Sequence, residues 1–365
     1  MKVNGVHTRS IWLEADGWSV GVIDQLALPL ELRTATLRSL DDVVHALAHM
    51  RVRGAPLIGA TAAYGMALAA RADPTDAALD RAATALLAAR PTAVNLRWAV
   101  ERVRRALAAV QAEARAHAAY QLADRICAED VDINHSIGTH GVKLLRDHFA
   151  RNPDRPVQVL THCNAGWLAA VDWGTATAPI YLAHREGIRV HVWVAETRPR
   201  LQGALTAWEL AQEGVPHTIF ADSAGAHLMQ RGRVDMVLTG TDRVTATGDV
   251  ANKIGTYAAA LAARDNDLPF YVAAPSPSID WQLEDGVRDT PIEQRDACEL
   301  SVVRGRDAHG AITEVSVYPD GSPALNVAFD VTPARLVTGL ITERGIAPAS
   351  RAGLARLFAQ AAASA

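Results

Sequence analysis

The apolar run VQVL (157–160) leads into Thr161-His162-Cys163-Asn164-Ala165-Gly166. A turn at that point needs Gly, Asn or Asp and has no use for a thiol. A cysteine between a strand and a helical stretch faces the positive end of that helix, which favours thiolate or developing negative charge. Free cysteines also serve as small buried filler, and the local physics weighs the two readings equally. Asp242 follows another apolar run, VDMVLTG (234–240). A carboxyl in a partly dry pocket at a strand end has its pKa raised by burial and can act as a general acid near neutral pH. The competing reading is an Asx-type turn or an ion pair with Arg243. Asn252 and Lys253 precede a helical stretch expected from Ile254, where free N–H groups suit an oxyanion or phosphate. Arg53-Gly54-Ala55-Pro56 opens a further helix, with Pro56 suited to its first turn. It reads either as a second anion site or as a plain helix start with an exposed Arg. Arg97, near another helix start, reads in isolation as a surface residue. Gln202, beside Arg198, opens one more helix at the same edge, and an ordinary exposed Gln is its plain reading. Together these residues could do acid–base work on an anionic substrate.

The elements that would position them fall into two textures. IWLEADGWSVGVIDQLALP reads as short strands around an Asp-Gly turn. From Ser39 to about Arg125 the pattern is helical, with Ser39 as N-cap, Pro74 near one helix start and Pro91 after a helix end. Residues 97–130 read as one long helix, and 134–150 as a separate helix joining the halves. After Pro156 the runs VQVLTH, RVHVWVAE, HTIFAD, VDMVLTG and LPFYVAA alternate with amphipathic stretches that end near Gly or Asn. A repeat of about 20–35 residues is one strand plus a crossover helix. Continuously apolar strands suit a parallel sheet buried on both faces. The expected fold class is α/β: residues 1–130 mostly helical with a small β element, and residues 131–365 a doubly wound parallel sheet. In such a sheet ligands bind beyond the carboxyl ends of the strands, where the polar residues above collect.

Composition sets limits. Net charge is −4 with no basic block, so nucleic acid is not an expected partner. The 13 His show no zinc-site spacing, and the three Cys (Cys127, Cys163, Cys298) offer no disulfide framework. Cys127 and Cys298 read as filler. No apolar signal core and no run on the order of 18 apolar residues occur, so a cytoplasmic protein without membrane spans is expected. Neither G-x-G-x-x-G nor G-x-x-x-x-G-K-[ST] nor G-x-S-x-G occurs, which disfavours dinucleotide chemistry.

The motifs RGAPLIG (53–59), HCNAG (162–166), GTATAP (174–179), ETRPRLQGALTAWEL (196–210), GTDR (240–243), GDVANKIGTY (248–257) and DVTPARLVTGLITERG (330–345) resemble the methylthioribose-1-phosphate isomerase family. The wider family includes non-catalytic regulatory subunits of a translation-initiation exchange factor and a ribose-1,5-bisphosphate isomerase. The resemblance implies a helical N-terminal domain, a Rossmann-like C-terminal domain, a homodimer, and no metal or cofactor. It implies that Cys163 and Asp242 are catalytic, with Asp242 the proton donor. It implies that Arg53, Gly54, Ala55, Arg97, Gln202, Asn252 and Lys253 contact substrate. The Ala-rich tail 361–365 lies outside the shared pattern and is expected to fray.

The implied substrate is a furanose with phosphate on its anomeric carbon, which blocks the easy ring opening of a free sugar. Asp242 would protonate the ring oxygen, and a hydrogen would pass from C2 to C1 as a proton or as a hydride. Cys163 would be the base or a stabiliser of charge. The substituent on C5 separates methylthioribose 1-phosphate from 5-deoxyribose 1-phosphate and ribose 1,5-bisphosphate. GWL (166–168) and WLEADGW (12–18) hint at an apolar slot for it. Retention of both Cys163 and Asp242 argues against a non-catalytic subunit.

Overall fold

The computed structural model describes residues 1–363. A short hairpin, Lys2–Val3 with Val6–His7, precedes three antiparallel strands: β1 (Ile11–Leu13), β2 (Val20–Ile23) and β3 (Thr34–Leu37). β1 and β2 flank the Asp16-Gly17 turn, as the alternation and the turn residues require. The helices α1 (Leu40–Ala48), α2 (Ala55–Ala72), α3 (Asp76–Ala89), α4 (Val94–Leu107) and α5 (Ala112–Arg151) follow. Ser39 caps α1 in a reciprocal box: its hydroxyl accepts from Asp42 N, and the Asp42 carboxylate accepts from Ser39 N. α2 is buried along nearly its whole length and is the axis of the first core, where Leu57, Met66, Leu86, Leu96 and Val103 are sealed from solvent. Each such side chain contributes about 1.5–3 kcal/mol of hydrophobic stabilisation.

Two helical expectations change. The expected helix over 97–130 breaks at 108–111, where Arg115 donates to Val110 O (3.0 Å) and Pro74 O (2.7 Å) and satisfies carbonyls that would otherwise be orphaned. The expected separate helix at 134–150 is the second half of the 40-residue α5. Asn134 does not start a helix. Its fully buried side chain donates to the Asp130 carbonyl one turn back (2.8 Å), inside the helix. Core membership nevertheless changes along α5: Ile126 and Cys127 pack in the first core, Ile137 and Leu145 in the next. A division at 130/131 would be one of packing, not of a linker.

The large sheet contains β4 (Val157–Thr161), β5 (Val190–Ala195), β6 (His217–Phe220) and β7 (Met236–Thr239). β8 (Arg243–Thr245), β9 (Val250–Lys253), β10 (Phe270–Ala273) and β11 (Ile279–Asp280) follow in the chain, then an exposed hairpin of β12 (Val302–Arg306) and β13 (Ile312–Ser316), then β14 (Phe329–Thr332), β15 (Gly339–Thr342) and β16 (Gly345–Ala347). The order across the large sheet is β16–β15–β10–β7–β4–β5–β6, parallel throughout except β16. The five apolar runs supply five of its strands. β15, β16 and the smaller sheet β11–β8–β9–β14 were not anticipated: their segments are short, and β15 and β14 find their partners β10 and β9 far away in the sequence. Helices α6 (Ala178–Arg185), α7 (Gln202–Gln212), α8 (Ala224–Gln230) and α9 (Thr256–Asp265) cover the faces. Gly187, Gly214 and Gly232 end the first three of these helices with positive φ. No helix among the described residues is long and apolar enough to cross a membrane. Of the tail 361–365, Ala361–Ala363 end the short helix Ala359–Ala363, and residues 364 and 365 lie outside the described residues.

Candidate active site

From β4 the chain proceeds to β5 and β6 on one side, then returns to place β7, β10 and β15 on the other. The crevice at the carboxyl ends of β4 and β7 is therefore the switch point of the sheet, where such folds bind ligands. Cys163 follows β4, Asp242 follows β7, and both line one cleft there. The start of α2 brings Arg53, Gly54, Ala55 and Pro56 to the opposite wall, β9 brings Asn252 and Lys253, and α7 brings Gln202. Arg97 is the exception: it is exposed on α4, 3.9 Å from Glu101, and is not part of the cleft lining.

Close approach of the two halves depends on Gly54. Its φ is +96°, and a Cβ there would sit 2.4 Å from Ala169 Cα, so both the backbone and the space demand glycine. The expectation that α9 starts at Ile254 with free N–H groups is also corrected. Asn252 and Lys253 lie in β9, paired with β14, and α9 starts at Thr256. The Asp330 carboxylate accepts from Gly255 N (2.7 Å) and Tyr257 N (3.1 Å), so those donors are already engaged. Asn252 instead donates to Thr256 Oγ1 (3.0 Å), and the Lys253 ammonium stands 4.5 Å from the Phe329 ring centre. The Trp-rich segments do not supply an apolar slot: Trp167 and Leu168 are buried in the sheet core, and Trp12 packs against it. Met50, Ile58 and Phe329 supply the apolar part of the cleft.

Burial dominates the electrostatics. It raises the Asp242 carboxyl above its ordinary range, against the pull of Lys253 and Arg90. Asp242 is not paired with Arg243, which bonds Asp280 (3.0 Å) and Thr92 O (3.0 Å). Among the described residues the Asp242 carboxyl has no hydrogen-bond partner, which leaves it free for a ligand. Burial pushes the Cys163 thiol up to about 11, opposed mainly by Lys253. Lys253 is itself lowered by burial. Arg53 is held near 10 by burial and by Arg200, still far above neutrality. The cleft thus sets cationic groups against a carboxyl and a thiol that favour their neutral forms, an environment for a multiply charged anion. Among the described residues no group of three or more His, Cys, Asp and Glu side chains is placed to hold a metal ion.

The profile of the Initiation factor 2 subunit family matches residues 51–349. The chain belongs to this family. It is 62% identical to a Rhodospirillum centenum protein named methylthioribose-1-phosphate isomerase, over 98% of this chain and 96% of that protein. It is 59% identical to a Sinorhizobium medicae protein of the same name, over 98% and 99%. The structure matches that of 5-methylthioribose 1-phosphate isomerase from Pyrococcus horikoshii with a TM-score of 0.82 at 38% identity, covering 97% of this chain and 96% of that one. It also matches translation initiation factor eIF-2B subunit delta from A. fulgidus with a TM-score of 0.78 at 36% identity, covering 97% and 100%. The family fold expected from the motifs, helical first half and doubly wound second half, is the fold observed.

Within this family member, two cleft groups, Arg90 and Phe329, and one group behind the Cys163 loop, Glu209, escaped the sequence reading. Arg90 lines the cleft, almost fully buried, with its Nε and one terminal nitrogen unpartnered and the other 3.4 Å from Glu293. Its only sequence signal is its place beside Pro91. Phe329 carries no motif. Glu209 was legible: Gln202, Thr206 and Glu209 recur at i, i+4 and i+7, a polar stripe on a buried face of α7. The Glu209 carboxyl accepts from Leu168 N (2.6 Å) and Asn164 Nδ2 (3.2 Å), and so holds the loop that carries Cys163. Burial raises Glu209 to about 8 from an ordinary 4.5. An acid raised on folding stabilises most below its unfolded pKa, so this contribution falls as pH climbs from about 4.5 to about 8 and is then level. The expected result is that Glu209→Gln flattens the loss of thermal stability across that window. A melting series over pH with an unchanged slope in the variant would refute this.

Proposed function

We propose that this chain is an aldose–ketose isomerase that converts 5-methylthioribose 1-phosphate to 5-methylthioribulose 1-phosphate, and so serves methionine salvage. The observation that carries the reading is Cys163 and Asp242 on adjacent strand ends, in one cleft with Arg53, Arg90 and Lys253. The names of its relatives at about 60% identity support it.

The cations hold the dianionic phosphate, with Asn252, Gln202 and the backbone of Gly54 and Ala55 around the sugar. The neutral Asp242 carboxyl donates its proton to the ring oxygen as the C1–O4 bond breaks. The net reaction then moves one hydrogen from C2 to C1 and returns the proton of the C2 hydroxyl to the Asp242 carboxylate, directly or through water, which restores the acid. Cys163 serves the C2 side, as base or as stabiliser of charge. A thiol held neutral is a poor base toward carbon, which favours direct passage of the hydrogen from C2 to C1. Met50, Ile58 and Phe329 give the C5 methylthio group an apolar wall, and enclosure limits loss of phosphate from the opened sugar. A homodimer and a cytoplasmic location are part of this reading; light scattering and fractionation test them.

The test is turnover by metal-stripped protein, followed by NMR in deuterated water. Methylthioribose 1-phosphate, 5-deoxyribose 1-phosphate and ribose 1,5-bisphosphate are compared. Rapid ketose formation from the first, with C1 free of solvent deuterium, is the expected result. Preference for the bisphosphate would move the substrate assignment, and no turnover of any of them would leave the non-catalytic branch of the family.

A further inference from the structure

Cys163 has φ +66° and Thr197 φ +61°, a left-handed backbone that a β-branched residue such as Thr rarely adopts. They stand at the carboxyl ends of adjacent strands, β4 and β5, and they are bonded to each other. The Thr197 hydroxyl donates to Ala195 O (3.0 Å), which turns a lone pair to accept from Cys163 N (2.9 Å). On the other side of the same residue, the Thr206 hydroxyl donates to the Cys163 carbonyl (2.9 Å) and accepts from Asn164 Nδ2 (3.2 Å). Thr197 is fixed in turn. The Asp222 carboxylate, beyond the end of β6, accepts from Thr197 N (2.7 Å) and Arg198 N (2.8 Å). Both Thr side chains belong to residues with almost no exposure, so water cannot replace what they supply.

The geometry points to Thr197 as the positioning residue for Cys163, in a relay Asp222–Thr197–Cys163 that runs across three adjacent strand ends. It rests on the reading of Cys163 as a catalytic group. The physical reason is that a strained conformation persists only where its surroundings over-determine it. One hydroxyl holds the N–H of Cys163 and another its C=O. With both peptide groups pinned, the Sγ is directed at the space it shares with Asp242, Lys253 and Arg53, the charged groups that face it. Neither threonine lines that space, so their loss removes no contact with substrate.

The test compares Thr197→Val with Thr197→Ser in the full-length chain, after melting curves show both folded. Valine keeps the shape and removes the acceptor, leaving the Cys163 N–H buried and unpaired. Serine keeps the acceptor. The expected result is that T197V loses about 100-fold in kcat while KM holds, and that T197S recovers most of the loss. Any other pattern overturns the proposal. If T197V does not fold, Thr206→Val with Thr206→Ser is judged by the same pattern. The rate at which iodoacetamide labels Cys163, read by peptide mass spectrometry, separates the two levels of inference. If Cys163→Ala keeps full activity, the catalytic reading falls, and the labelling rate alone decides the relay: changed in T197V and restored in T197S supports it, unchanged overturns it.

Discussion

Replacing Asp242 with Asn removes about 10²–10⁴-fold of kcat, the usual worth of a placed general acid. The substitution keeps the size and polarity of the side chain and takes away only the transferable proton. Asp242 follows β7 at the switch point with its carboxyl unpaired, so no structural bond of that group is lost. The pH profile carries the sharper signature. Burial raises the carboxyl, so its acid form persists to higher pH than an ordinary aspartate. Turnover in the parent falls as pH rises through that raised value, and the variant's residual rate lacks this limb. The effect of the substitution on stability has the opposite sign. A carboxyl with its folded pKa above the unfolded one costs stability as pH rises through the interval, and Asn carries no such cost. D242N is therefore expected to be at least as stable as the parent at neutral pH. A variant that turns over at the parent rate, or keeps the limb, removes Asp242 from the mechanism.

The second large effect is at Cys163. Cys163→Ala deletes the only thiol in the cleft lining and leaves the cations of that lining, Arg53, Arg90 and Lys253, in place. The expected loss is about 10²–10⁴-fold in kcat with KM little changed, because in the proposed reaction the group acts on the reacting carbons and not on the phosphate. Cys163→Ser tests the chemistry more finely. Serine retains a donor and is harder to ionise, so substantial activity in C163S with none in C163A would assign stabilisation of charge over proton removal. Burial that holds the thiol near 11 is consistent with that assignment. Steady-state kinetics on both variants decide it, and full activity in C163A would end the reading.

The sequence by itself determined much of the architecture. Five parallel strands were legible because a strand buried on both faces must be apolar throughout, and such runs stand out between polar turns. The helix ends at Ser39, Gly187, Gly214 and Gly232 were legible because capping is local chemistry. Cys163 and Asp242 were legible as candidates because each follows an apolar run at the carboxyl edge of the sheet, and Gln202 and Arg53-Gly54-Ala55 because each opens a helix, whereas Asn252 and Lys253 reach the same cleft from within β9.

Only the tertiary structure decided the rest. Arg97 and Arg90 lie on either side of one turn, and nothing local says that the first faces solvent and the second the cleft. Asp330 is 75 residues from Gly255, yet it closes the N-terminus of α9 that looked free. Phe329 enters the cleft through the pairing of β14 with β9. The left-handed turn at Cys163 is held by Thr197, 34 residues away, through the register of two neighbouring strands. A residue's side of a helix and its distant partner are set by packing between segments. The patterns that mark a strand, a cap or a turn are set within a few residues, and so they alone can be read along the chain.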